Sequence, residues 1–373
     1  MSIILLLLFF LSALVLLINS NSGKDPEKAV HIRGTVAIDY TDLYAVCLML
    51  FFSLLCATRS MDSYDTNEYF EWYNKIIAMP FFQTEGSYGI VFEMTSKCLG
   101  LVCRENFRLF LFFLVLLNNL VVYRVFRRTE VGVSGYVLYV FLLGFYYNFA
   151  VLRQGLAITF VIWAFAAWKN KKKLFALLVI AVLSHNTAVM VLLVAALVHV
   201  VQFRKRTMLV LWFVALINYI TRISDRVIGQ LLNSLGRFIP QQMSGRYALY
   251  FLDSEIGGSF SFYYLVYFAI IFILILWAYS ERRQEQTAIR MIENRRMLNI
   301  GTIGTLLLSV GSVFTVIVRL TDYMIPICIM FLLPVCLQNR PRTNRIIAIF
   351  ALCVIAMVLY LRIFLNKAPL YFV

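Results

Sequence analysis

Arg59, Asp65, Arg153, Gln154, His185, Arg246 and Arg319 are the side chains of this 373-residue chain whose types suit chemistry on an anionic substrate. All lie in or beside the polar connections between long apolar runs. A guanidinium presents a planar fork of N–H donors that matches phosphate oxygens two at a time. A carboxylate or imidazole beside such a fork can take the proton of a sugar hydroxyl. Blander roles fit the same positions. Asp65 opens DTNEYF, a plausible helix N-cap with acids in the first turn. Arg153 can be an interfacial anchor that snorkels outward. His185 can hydrogen-bond a backbone group near a turn, and Arg246 and Arg319, taken singly, suit structural roles as well.

The stretch from Phe145 to Ala188 orients these residues. An apolar segment ends at Arg153 and Gln154. A second runs to a lysine block, Lys169, Lys171, Lys172 and Lys173, and a third, about a dozen residues long, climbs to Ser184, His185 and Asn186. Cytoplasmic loops collect Lys and Arg, so the lysines mark the inner side, and Arg153 and His185 meet on the outer one. An arginine at a membrane boundary is costly and usually has a partner or a task.

Composition sets the frame. The chain is 62% hydrophobic and 14% charged, with a mean hydropathy of +0.82, more apolar side chain than a soluble core absorbs. Successive apolar runs with short polar connections predict an all-α polytopic membrane protein whose 373 residues form one membrane domain. The net charge of +15 does not point to nucleic acid. More than half of the 34 basic residues fall in five short clusters that read as topology anchors favouring anionic lipid. The seven cysteines form no CxxC pair and have no neighbouring histidine, which leaves no metal-ligand pattern.

In chain order, residues 2–18 are expected as a retained first helix, and 41–57 as a second. External loops are expected at about 57–106 and 221–259. Within the first, Tyr69, Phe70, Trp72, Tyr73, Ile76 and Ile77 predict an amphipathic helix lying in the interface. Residues 88–103, which contain Glu93 and Lys97, are expected as a re-entrant or interfacial element, since a full crossing would put the Arg124 cluster outside. Crossings follow near 107–123, 134–149, 154–168, 174–185, 187–202, 207–220, 260–279, 298–318, 320–337 and 346–363. That makes about 12 transmembrane helices with both termini outside. Segments of about 12 residues reach only about 18 Å against a core of about 30 Å, which predicts a funnel into the outer half of the bilayer. Arginines facing such a funnel suit a lipid pyrophosphate, whose head is anionic and whose tail stays in the membrane.

RQGLA at 153–157, the KNKKKLF turn at 169–175 and SHNTAVMVLL at 184–193 resemble the Arg-Gln-x-x-Ala, basic-turn, Phe-His-Ser-Ala pattern of the EpsG family. SYDTNEYF at 63–70, with Arg59 upstream, resembles that family's Gly-x-Asp-x-x-x-Tyr loop. EGSYGIVF at 85–92 is similar to its Glu-Pro-Gly-aromatic segment, and RLTDYMIPICIMFLLP at 319–334 to its late Arg-x-x-x-Tyr helix. Tyr64, Ser87 and Ser184 depart from the pattern. The resemblance implies a GT-C-like, Wzy-type polysaccharide polymerase in the bacterial cytoplasmic membrane, acting on undecaprenyl-pyrophosphate-linked oligosaccharide at the outer face. It further implies Arg153 and Arg246, joined by Arg59 or Arg319 and with Gln154 beside them, at the pyrophosphates. Asp65 or His185 would be the base, and Tyr69 and Tyr323 would lie at sugar or loop positions. No cofactor is expected, because arginines can stabilise the leaving group. A flippase and a chain-length regulator are implied as partners. A lipid-linked oligosaccharide flippase and an O-antigen ligase are the competing readings; the absence of an internal repeat speaks against a transporter.

Overall fold

The computed structural model describes residues 40–62, 65–224, 226–228, 230, 262–280, 288–311 and 315–338. Among them there is helix and no strand. The helices expected at 2–18 and 346–363, and most of the loop expected at 221–259 with Arg246, lie outside the described residues; residues 223, 224, 226–228 and 230 within that range are helical.

The chain divides into two compact units, one of residues 1–186 with 334–373, the other of residues 187–333. In the first, α1 (Tyr40–Ala57) is followed by α2 (Thr66–Ala78), α3 (Ile90–Cys103) and α4 (Phe107–Arg127). The aromatic stripe of the expected interfacial helix forms α2, and its buried face is Thr66, Tyr69, Trp72, Tyr73 and Ile76, at the spacing of one helical side. These side chains pack with Phe92, Phe107 and Phe110 into one aromatic core. Tyr73 stacks on Phe110 with ring centroids 4.3 Å apart. The 14 residues of α3 reach about 21 Å, short of a bilayer core of about 30 Å. The helix stops where Arg104 turns to φ 50°, and the Tyr73 hydroxyl donates to the Arg104 carbonyl at 2.7 Å.

Asn106 caps α4, its side chain accepting from the Leu109 amide at 3.0 Å. The single crossing expected at 134–149 is a broken helix: α5 (Val133–Tyr139), a π-helical turn (Val140–Gly144) and α6 (Phe145–Phe149). A π turn leaves backbone carbonyls without their usual partners, and Asn148 donates to the Gly144 carbonyl at 2.8 Å. The same amide donates to the Tyr139 hydroxyl at 2.9 Å and accepts from Asn118 on α4 at 3.0 Å. Polar side chains thus satisfy one another in a buried seam.

The hairpin forms as α7 (Leu152–Ala166) and α8 (Lys171–Ser184), packed along each other. Asn170 caps α8 and accepts from the Lys173 amide at 3.0 Å. The helix begins at the lysines, earlier than the apolar run, because lysine is a good helix former. Three cations in a first turn oppose the helix dipole, so helix electrostatics does not account for their position.

In the second unit, α9 (Val189–Val200), α10 (Lys205–Thr221), α11 (Phe262–Ser280) and α12 (Ala288–Gly311) are followed by α13 (Thr315–Thr321) and by α14 (Ile325–Gln338) as far as Leu333. Trp212 donates to the Phe268 carbonyl at 2.8 Å and Asn218 to that of Ser309 at 2.9 Å. The helix expected at 298–318 begins ten residues earlier and takes in Arg290, Arg295 and Arg296, part of a basic cluster expected between helices. Arginine sustains a helix well, and the basic turn extends it. Phe107–Arg127 and the Ile317–Leu337 run, which turns at 322–324, are long and apolar enough to cross a membrane. Five shorter apolar helices accompany them among the described residues.

Candidate functional site

Arg153 stands in the first turn of α7, where the chain has just broken away from α6. Gly155 makes that break possible: a Cβ there would lie 2.9 Å from the Tyr147 carbonyl oxygen. The Arg153 guanidinium lies over the Tyr88 ring at 4.4 Å and donates to the Ser87 carbonyl at 3.3 Å. The Tyr69 ring meets Tyr88 edge-on, with centroids 5.9 Å apart. Burial raises the pKa of Tyr69, with the Arg153 charge opposing, so the phenol stays protonated at neutral pH. Burial likewise raises Tyr88, again against Arg153.

Asp65 occupies the N-cap position of α2, as one of its readings has it, yet its side chain makes no capping bond. It is exposed. Its charge reaches Arg59, Tyr69 and Tyr88. Arg59, placed in a polar loop by the sequence, is 2% exposed. It donates to the carbonyls of Asn148, at 3.3 Å, and Phe149, and lies over the Phe149 ring at 5.5 Å. These are carbonyls at the end of α6, which no further helical turn satisfies. Among the described residues its Nε and Nη2 have no hydrogen-bond partner. Burial lowers its pKa to about 10, with Cys56, Tyr69 and Asp65 opposing, and the group stays charged at neutral pH.

His185 ends α8 in an extended conformation, its amide donating to Ala181 at 2.9 Å, and its ring is half-buried. Gly89 brings this end to the Arg153 group. Its φ is +92°, and a Cβ would lie 2.6 Å from the Ser184 carbonyl oxygen. The turn carrying Tyr88 therefore rests against the residue before His185. Gln154 is fully buried and its amide donates to the Tyr147 hydroxyl at 3.5 Å. Arg319, half-buried in α13, and Tyr323, buried and accepting from Thr187 at 3.5 Å, belong to the second unit.

The first unit thus gathers Asp65, Tyr69, Tyr88 and Arg153, with Arg59 and His185 adjoining. Sequence reasoning does not single out Tyr88, Ser87 or Glu93 as members of the site. Tyr88 lies within the EGSYGIVF segment, and its aromatic type beside a conformationally free glycine is the available signal. A guanidinium stacked on a tyrosine ring can bind an oxyanion, and a carboxylate of the same unit can receive a proton.

An all-helical chain with long apolar helices and buried arginine donors is a helical membrane protein. It belongs to the EpsG family, which its residues 42–373 match. Membership makes it a membrane protein of the exopolysaccharide-synthesis type. No curated protein and no solved structure shows a significant match to the chain.

Proposed function

We propose that this protein is a polysaccharide polymerase, a multi-pass enzyme of the bacterial cytoplasmic membrane with about 12 transmembrane helices and a GT-C-like architecture. It joins undecaprenyl-pyrophosphate-linked oligosaccharide units at the outer face, for O-antigen, capsule or exopolysaccharide. The observation that carries this reading is the Arg153 guanidinium held over the Tyr88 ring and against the Ser87 carbonyl. Arg153 and Arg246, with Arg59 or Arg319, hold the pyrophosphates. The Tyr69 hydroxyl meets the incoming sugar, and Tyr323 serves the second unit.

The acceptor hydroxyl oxygen attacks the anomeric carbon of the donor chain. Its proton passes to Asp65, or to His185 as the alternative base. The bond from the anomeric carbon to phosphate oxygen breaks, and undecaprenyl pyrophosphate leaves with the electron pair. Arginine charge at the leaving group lowers that barrier, because its donors are in place before the charge develops. Flippase and chain-length regulator act before and beside this step.

The test is a gel ladder of surface polysaccharide from cells lacking the gene and carrying wild type, Arg153→Ala or Asp65→Ala at matched protein level. Deletion should leave single capped units, which only wild type extends. Loss of the single units too would favour export as the function. Full-length ladders from both variants would refute the site.

A further inference from the structure

We propose that Glu93 is a positioning residue for Arg153: its buried carboxylate folds the Glu85–Tyr88 turn, and that turn sets the ring and the carbonyl which orient the guanidinium. The proposal rests on the reading of Arg153 as an anion-binding group.

Glu93 lies in the first turn of α3 and is fully buried. Among the described residues no cation stands within ion-pair distance of it. Its charge is met by backbone instead. One oxygen accepts from the amides of Glu85 at 2.8 Å and Gly86 at 3.1 Å, the other from that of Tyr88 at 3.1 Å. Nearly successive amides converging on one anion form a nest, here occupied by the protein's own carboxylate. Glu85, Gly86 and Ser87 are exposed, and Gly86 sits at φ +75°, so apolar packing acts on the turn only at Tyr88, and the Lys75–Glu85 ion pair ties only a side chain. The backbone path from Glu85 to Tyr88 is held by Glu93.

That turn delivers Tyr88 beneath Arg153 at 4.4 Å and the Ser87 carbonyl to its Nη1. Trp72 stacks on Tyr88 at 4.6 Å on a helix of its own, fixing the ring once the backbone has brought it there. One helical turn after Glu93, Lys97 is also buried and donates to the carbonyls of Pro80, at 2.6 Å, and Gln83. The two charges divide the connection from α2 to α3: the ammonium takes carbonyls at its start, the carboxylate takes amides at its end. Only the Glu93 half reaches Arg153, which makes Lys97 the internal control.

The experiment uses the full-length protein in detergent. It reads inorganic pyrophosphate affinity by calorimetry and amide exchange of residues 85–88 by mass spectrometry. Glu93→Gln keeps the shape but sets an amide group against N–H donors. It should speed exchange of those amides and weaken pyrophosphate binding by about tenfold or more, about 1.4 kcal/mol. Tyr88→Leu removes the ring but not the turn and should weaken binding about fivefold while the amides stay slow, and it guards against misfolding of the first variant. Lys97→Met should lower stability with wild-type affinity. Wild-type affinity in Glu93→Gln or in Tyr88→Leu would overturn the proposal, as would equal losses in Glu93→Gln and Lys97→Met. An Arg153→Ala protein that binds pyrophosphate like wild type would instead refute the anion reading, and Glu93's role with it.

Discussion

Replacing Gly89 with alanine tests whether the Tyr88 turn must rest against the end of α8. The added methyl would sit 2.6 Å from the Ser184 oxygen and 2.9 Å from that of Leu183, where ordinary contact begins at 3.4 Å. Backbone on both sides leaves no flexible side chain to give way, so the turn must retreat by about 0.8 Å to relieve the overlap. The φ of +92° adds about 1–2 kcal/mol of strain for any residue with a Cβ. Gly132 separates the two costs: its φ is +62°, an added methyl there would meet nothing within 4 Å, and it lies far from the site in sequence. Gly132→Ala should therefore lose about 1–2 kcal/mol of stability and keep a normal polysaccharide ladder. Gly89→Ala should lose more and also pull Tyr88 from Arg153. A cation–π contact of about 1 kcal/mol, once lost, weakens donor binding about fivefold, visible as a shorter modal chain length. Thermal unfolding in detergent and the ladder, at matched protein level, give both readouts. Identical stability and identical ladders for the two alanine variants would refute the contact.

Arg153→Lys should abolish polymer although charge is retained, since an ammonium has neither the planar fork nor the stacking face; a normal ladder would remove the stacked geometry from the mechanism. Asp65→Asn should leave thermal stability within about 0.5 kcal/mol, because the side chain is exposed and makes no capping bond, while the ladder collapses to single units. His185→Gln should keep a residual ladder, and the opposite ranking would make His185 the base. Arg59→Met should cost about 3 kcal/mol of unfolding free energy in detergent, since the Asn148 and Phe149 carbonyls lose their buried donor; a loss under about 1 kcal/mol would show that those bonds contribute little.

The parts of this chain that were legible in the sequence are those written in side-chain periodicity. The aromatic stripe at Tyr69, Trp72, Tyr73 and Ile76 gave α2, and the lysine block between two apolar runs gave the α7–α8 hairpin. What escaped was the side chains that serve backbone. Glu93 and Lys97 stood in the sequence only as charges within a segment expected not to cross. In the structure they ignore each other and bind amides and carbonyls of residues 79–88, groups every residue carries and no sequence pattern marks. Arg59 escaped for the same reason. A polar loop predicts exposure, but the broken helix before Ala150 leaves carbonyls that an arginine can satisfy. The π turn at Val140–Gly144 that accompanies the break has no residue signature in an apolar run. In an apolar chain, a charge that interrupts a helix is therefore better asked which backbone it serves before it is counted for topology; for Glu93 that question leads directly to Arg153.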